Sequence, residues 1–151
     1  MISKPAVLAA AVVMTATSFS VSAQTAQERA IQYRQGVMKA QGWHAGNMAA
    51  QIRGTKPYEK DDFARSATFL SQLVHMPWDG FGPGTDKGAP TKARPEIWTD
   101  GAKFKAAGDI AIKATAALAQ AAAGGNMDTI KATFGEVGKA CKSCHDDFQA
   151  K

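Results

Sequence analysis

Both cysteines of the chain fall in one five-residue stretch, Cys141-Lys142-Ser143-Cys144-His145. On a helix, positions 141, 144, 145 and 148 share a face. Two thiols so placed can add to the two vinyl groups of a single haem and form thioethers. His145 is then held beneath the iron as an axial ligand. The CxxCH pattern is the attachment signature of c-type haem. Two other uses of the cysteines fit less well. A zinc site wants four ligands, and His44 and His75 lie on separate segments with no second Cys/His cluster. A thioredoxin-type redox pair expects a βαβ context, which the chain lacks.

A helix must carry this motif, and the rest of the chain reads as helical too. Ile130, Phe134, Val137, Cys141, Cys144 and Phe148 recur at steps of three and four, which makes one amphipathic stripe. Asn126 is the expected N-cap of that segment. A first segment runs from about Thr25 to Arg53, with Ile31, Met38, Ala45, Met48 and Ile52 on one face and Gly54 to Pro57 as its stop. A second starts near Pro57, carries Glu59, Asp61 and Asp62 at the positive end of its dipole, and stripes Phe63, Ala67, Leu70 and Val74 before Pro77. Residues 77–95 hold four prolines and four glycines and read as a long loop without regular structure. A third segment runs from Pro95 to about Ala123, with Ile97, Gly101, Phe104, Gly108, Ala111, Thr115, Leu118 and Ala122 at heptad steps, and Gly124-Gly125 ends it. The expected fold is all-α, an antiparallel four-helix bundle with covalently bound haem.

The N-terminus reads differently. Lys4 is the only charge before residue 24, an apolar run Ala6–Met14 follows, and small residues lead to Val21-Ser22-Ala23-Gln24. This is the pattern of a secretory signal peptide, residues 1–23, cleaved after Ala23. The run is too short for a spanning helix of ~20 residues, so no membrane anchor is expected after cleavage. The haem domain is then residues 24–151 and the expected location is the bacterial periplasm. At 151 residues the chain is one domain, its net charge of +5 is scattered rather than clustered with aromatics, and nucleic-acid binding is not expected. The charge can still steer an anionic redox partner protein. No nucleophile–base pair or spaced carboxylates suggest an enzyme.

Several blocks in order carry a family resemblance: Tyr33-Arg34-Gln35-Gly36-Val37-Met38, then Pro77-Trp78, Phe81-Gly82-Pro83-Gly84-Thr85, Ala93-Arg94-Pro95-Glu96-Ile97-Trp98, and Val137-Gly138-Lys139-Ala140 leading into CxxCH-Asp146-Asp147-Phe148. Across essentially its whole mature length the sequence resembles cytochrome c′, the class II cytochromes c. The resemblance implies one haem c per chain, attached through Cys141 and Cys144, with a high-spin, five-coordinate iron and His145 as the sole protein ligand. It implies that Met38 closes the opposite face, that Arg34 lies near a haem propionate, and that Trp78, Phe81 and Phe104 are aromatics around the haem. It further implies binding of nitric oxide and carbon monoxide, and a homodimer formed through the first two helices. The family has a low-spin branch in which a helix-one methionine is the sixth ligand, so the alternative is a His145/Met38-ligated electron-transfer cytochrome. Arg34 and the Arg94-Pro95-Glu96-Ile97-Trp98 block resemble the open branch. The sequence departs from the family at Gln149, four residues after His145, where members commonly carry Arg or Lys; Lys142 and Lys151 are the nearby candidates to replace that charge.

Among the remaining residues, Met48 and Met76 are expected to pack, His44 to face solvent or a subunit contact, and His75 to suit a helix C-terminus. Asp146 and Asp147 read as a solvated face.

Overall fold

The hydroxyl of Thr25 accepts from the backbone N–H of Glu28, and the Glu28 carboxylate accepts from the N–H of Thr25. This reciprocal cap satisfies two of the orphan donors at a helix start. It opens α1, Ala26–Ile52. The computed structural model describes residues 23–151, so the expected signal peptide lies outside the described residues save for Ala23. Four further helices follow: α2 Lys60–Leu73, α3 Glu96–Thr99, α4 Gly101–Gly124 and α5 Met127–Phe148. Asn126 caps α5 by accepting from the N–H of Thr129. Gly125 ends α4 at φ +77°, a left-handed backbone that glycine adopts without steric cost.

Three expected boundaries are corrected. The second helix begins at Lys60 rather than near Pro57, because Glu59 is still extended at φ −117°, ψ 105°. The expected third helix is two, broken at Asp100 (φ −128°, ψ 57°), whose side chain accepts from the N–H of Lys103 and starts α4 afresh. The loop 77–95 is not wholly irregular: Pro77–Phe81 form a 3₁₀ helix, which Pro can open because its missing N–H is not needed there.

The four long helices make the bundle, with α1 packed on α2, α2 on α4, and α4 on α5. The main core joins Met48 of α1, Phe63, Ala67 and Leu70 of α2, Leu118 and Ala122 of α4, and Ile130 and Val137 of α5. Met48, Leu118 and Ala122 come from the C-terminal halves of α1 and α4, and Phe63 and Ile130 from the starts of α2 and α5, so neighbouring helices run antiparallel. Each large apolar side chain buried there contributes roughly 1.5–3 kcal/mol. Val74, Ala111 and Ala140 extend the core toward the other end. No helix among the described residues is long and apolar enough to cross a membrane.

A polar network fastens the α1–α2 turn. Asp62 accepts from Asn47, Gln51 and Lys56 at 2.9–3.0 Å, and Arg65 pairs with its other oxygen. Hydrogen bonds from Asn47 first and then Lys56, with the charges of Lys56 and Arg65, hold the Asp62 carboxyl at about 2, below its ordinary 3.8. The pairs Lys103–Asp147, Lys105–Asp109, Lys139–Glu136 and Lys142–Asp146 lie on exposed helix faces, where such pairs are worth little.

The methionines and His44 also refine the sequence reading. Met48 is fully buried, whereas Met76 is 42% exposed. His44 does not simply face solvent: its ring lies 5.2 Å from that of Phe69, and its Nδ1 is buried without a hydrogen-bond partner.

Candidate functional site

At the end of the bundle away from the main core, the 3₁₀ helix lies against α1 with almost no space between them. A Cβ on Gly80 would sit 2.7 Å from Cβ of Arg34 and 2.8 Å from the Ala30 carbonyl oxygen, so only glycine permits this approach. Arg34 exploits it. Its guanidinium is 2% exposed and donates to Gly80 O (2.7 Å), Thr85 Oγ1 (2.9 Å), Thr85 O (2.8 Å) and Thr91 Oγ1 (2.9 Å). It also lies 4.4 Å from the Phe81 ring centroid, a cation–π distance. Burial pulls the Arg34 pKa down from its ordinary value, yet guanidinium remains charged at any physiological pH. Gln35 adds a bond to the Pro90 carbonyl at 2.8 Å. Consecutive residues of α1 thus draw a proline- and glycine-rich segment into one shape.

The other end of that segment is fixed to α5. The Arg94 N–H donates to Phe148 O (3.0 Å) and the Ala150 N–H to Lys92 O (2.8 Å), which pairs Ala93 with Gln149 as an isolated antiparallel bridge. Between the two attachments an aromatic cluster forms. Phe104 of α4 stands edge-on to Phe81 at 4.9 Å, to Phe148 at 5.1 Å and to Trp78 at 5.5 Å. Trp98 donates its indole N–H to Phe81 O at 2.9 Å, and Trp78 donates to Val74 O at 2.8 Å.

These elements enclose a cavity of about 400 Å³, within the range of ligand pockets, roughly 300–1,000 Å³. Helix α1 lines it with Arg34, Gln35, Met38 and Lys39. The loop and α3 contribute Phe81, Thr91, Lys92, Ala93 and Ile97; α4 contributes Phe104. Helix α5 lines it with Cys144, His145 and Phe148, followed by Gln149. The structure therefore brings together Arg34, Met38, Phe81, Phe104, Cys144 and His145. Trp78 stands one layer behind, its ring against Phe104 and against Gly108, where a Cβ would come within 2.8 Å of the indole. Cys141 sits one turn before Cys144, half-buried against the edge of the main core.

Neither cysteine is disulfide-bonded. Burial is the main cause that pushes both thiols up, joined for Cys144 by the charges of Cys141 and Asp147. They are therefore not activated nucleophiles. Among the described residues, no three His, Cys, Asp or Glu side chains gather as metal ligands. The cavity instead suits a large aromatic ring that bears carboxylates. Its walls are mainly apolar and aromatic, no Asp or Glu lines it, and Arg34, Lys39 and Lys92 supply cations. A CxxCH helix forms one wall. Haem c, with its planar ring, two propionates and two vinyl groups, meets every one of those conditions.

Sequence reasoning missed Gln35, Lys39, Thr91, Lys92, Ala93 and Ile97 as wall residues. Gln35 stands three residues before Met38 and was within reach of a helical-face argument. Thr91, Lys92 and Ala93 come to the site only through the bridge to α5. Gln149, first notable as a departure from a family pattern, is itself a wall residue.

A four-helix bundle with a CxxCH helix against an aromatic, cation-lined cavity defines a bundle-type c haem protein. The comparisons agree. The family described as Cytochrome C′ matches residues 29–149. Cytochrome c′ from Rubrivivax gelatinosus is 43% identical over 122 residues, covering 81% of this chain and 95% of the relative. The structure of cytochrome c prime from Shewanella frigidimarina aligns with a TM-score of 0.80 at 34% identity, covering 83% of this chain and 97% of the other. The nitric oxide complex of a mutant cytochrome c prime from Alcaligenes xylosoxidans aligns at 0.77 and 37% identity, covering 83% and 96%. The chain belongs to the cytochrome c′ family. It is accordingly a periplasmic, non-enzymatic haem protein, with one covalently attached haem c per chain.

Proposed function

We propose that this cytochrome c′ binds nitric oxide and carbon monoxide at a high-spin, five-coordinate iron held by His145 alone, with electron exchange as a second capacity of the same centre. The single observation that carries this reading is that His145 of α5 and Met38 of α1 line one cavity. The bound haem supplies an iron that takes up one gas molecule and passes one electron. The protein's residues do the rest. Cys141 and Cys144 anchor the ring by adding their thiols across its vinyl groups, sulfur to one carbon and hydrogen to the other. Met38 closes the far side and limits what can enter. Phe81 and Phe104 confine the ring edge, and Trp78 supports Phe104. Arg34 fixes the loop that completes the wall. The Alcaligenes nitric oxide complex supports the gas-binding reading by likeness.

Met38 also motivates the second reading, because methionine sulfur is a haem ligand that raises the reduction potential. Absorption spectra of oxidised, reduced and carbon-monoxide-treated protein separate the two. The expected result is a high-spin spectrum that responds to carbon monoxide, with Met38→Ala keeping the spin state and binding gas more readily. A low-spin spectrum indifferent to carbon monoxide, turned high-spin by Met38→Ala, would instead identify a His145/Met38 electron carrier.

Export through a signal peptide at residues 1–23 fits the periplasmic setting, and mass spectrometry of the secreted protein should find Gln24 at its start. A homodimer through α1 and α2 fits the exposed aromatic side chains there: Trp43 is 76% exposed, and Phe69 and Tyr33 about two-fifths. Sedimentation should give a dimer, and Trp43→Glu a monomer.

A further inference from the structure

The described residues include four methionines, and their surroundings differ. Met48 is fully buried in the main core, and Met127 packs against that core from the start of α5. Met76 is 42% exposed just beyond the end of α2. Of the four, only Met38 lines the cavity that His145 also lines. It is half-buried there, on a wall that is mainly apolar and aromatic. A thioether is flexible and apolar until it is oxidised, when it becomes a polar sulfoxide. Hydrogen peroxide, two bonded oxygen atoms, is close in size to nitric oxide and carbon monoxide. A path that brings either gas to the Met38 face therefore brings peroxide to it as well. Leucine, a volume-conserving exchange for methionine, would close the same face and be inert to that oxidant. The choice of methionine is thus chemical as well as steric.

We infer that Met38 is an oxidation-sensitive lid: hydrogen peroxide converts it to the sulfoxide, and the sulfoxide shuts the gas site. The inference rests on the gas-binding reading of this cavity. A sulfur lone pair attacks one peroxide oxygen, so an S–O bond forms and the O–O bond breaks. Sulfur loses two electrons and the peroxide gains them. The departing hydroxide takes the proton of the transferred oxygen and leaves as water. The side chain then carries a polar S–O group where it had a bare sulfur. That oxygen brings lone pairs to the face where gas must enter, beside the cation of Lys39 on the same wall. Gas must displace a polar group there rather than fill an apolar gap. Methionine sulfoxide reductases return the thioether, so the lid can be reopened.

The test treats the haem-loaded ferric protein with hydrogen peroxide, stops the reaction with catalase, then reduces the iron with dithionite and mixes in carbon monoxide. Peptide mass spectrometry should find the Met38 peptide heavier by one oxygen and the Met48 peptide unchanged, with the haem absorption intact. Fast carbon monoxide uptake should be lost in step with the modified fraction. Methionine sulfoxide reductase with a dithiol should restore it. Met38→Leu should take up carbon monoxide at one rate before and after peroxide, whereas Met76→Leu should lose the fast uptake as the parent does. An unmodified Met38 in a protein with a high-spin spectrum would overturn the inference, as would unchanged uptake by protein whose Met38 is fully modified. A low-spin spectrum before any peroxide is added marks failure of the gas-binding reading itself, because the sulfur is then engaged by the iron, and it overturns this inference with it.

Discussion

Arg34 on α1 donates to both the carbonyl and the hydroxyl of Thr85, at 2.8 and 2.9 Å, across 51 residues of sequence. A single cation so holds the middle of a segment that has almost no regular structure of its own. Without it, the carbonyls of Gly80 and Thr85 would lose their buried partner, and the Phe81 ring would lose the charge that rests on it.

Arg34→Met should therefore destabilise the protein by about 3 kcal/mol, from buried acceptors left unmatched. A lower urea midpoint and faster proteolytic cleavage between residues 82 and 90 are the expected signs. Arg34→Lys should recover part of the loss, since one ammonium cannot reproduce the fork. A midpoint within ~0.5 kcal/mol of the parent would show that the loop holds itself.

Gly108 offers a second check. Its ideal Cβ position lies 2.8 Å from Cη2 and 3.0 Å from Cζ2 of Trp78. In an open helix, Gly→Ala gains up to about 1 kcal/mol. Here Gly108→Ala should destabilise by about 1–3 kcal/mol, because the indole must shift within a packed aromatic cluster. Thermal unfolding and near-ultraviolet circular dichroism would register both the loss and the displaced tryptophan.

Asp62 sets an acid limit. Its folded-state pKa, about 2, lies below the ordinary 3.8. A carboxyl depressed on folding stabilises the protein fully above its unfolded value, and that support fades as pH falls through the folded one. Stability should accordingly decline between about pH 4 and pH 2. Asp62→Asn should be less stable at neutral pH and show a flatter profile across that window, read from unfolding midpoints at a series of pH values. Identical profiles would exclude Asp62 as the source.

The paired substitution Cys141→Ala/Cys144→Ala addresses attachment. Haem should become extractable into acidified organic solvent, and the melting temperature should fall. Complete retention of haem under extraction would place the covalent links elsewhere.

Much of this was readable from local chemistry. Asn126 and the Gly124-Gly125 pair marked helix ends because a cap involves residues within a few positions of each other. The stripe Phe63, Ala67, Leu70, Val74 is buried throughout. Asp100 was hidden because Ile97, Gly101 and Phe104 keep helical spacing across the break, while the chain there turns to let Asp100 cap a new helix. The 3₁₀ helix at Pro77–Phe81 was hidden for a related reason: its composition is that of a loop, and its packing on α1 depends on Gly80. The haem motif was legible because its spacing is chemical rather than tertiary. The far wall was not, since Thr91, Lys92 and Ala93 reach it through bonds to Arg34 and to the end of α5.

The bridge between Ala93 and Gln149 also bears on how the site could be opened by a protease. Cys141, Cys144, His145 and both backbone partners of the loop, Phe148 and Ala150, lie within ten consecutive residues. A cut just after Asp147 would leave the whole CxxCH motif on its helix and still remove both partners, so the anchored ring would face a wall no longer tied to α5.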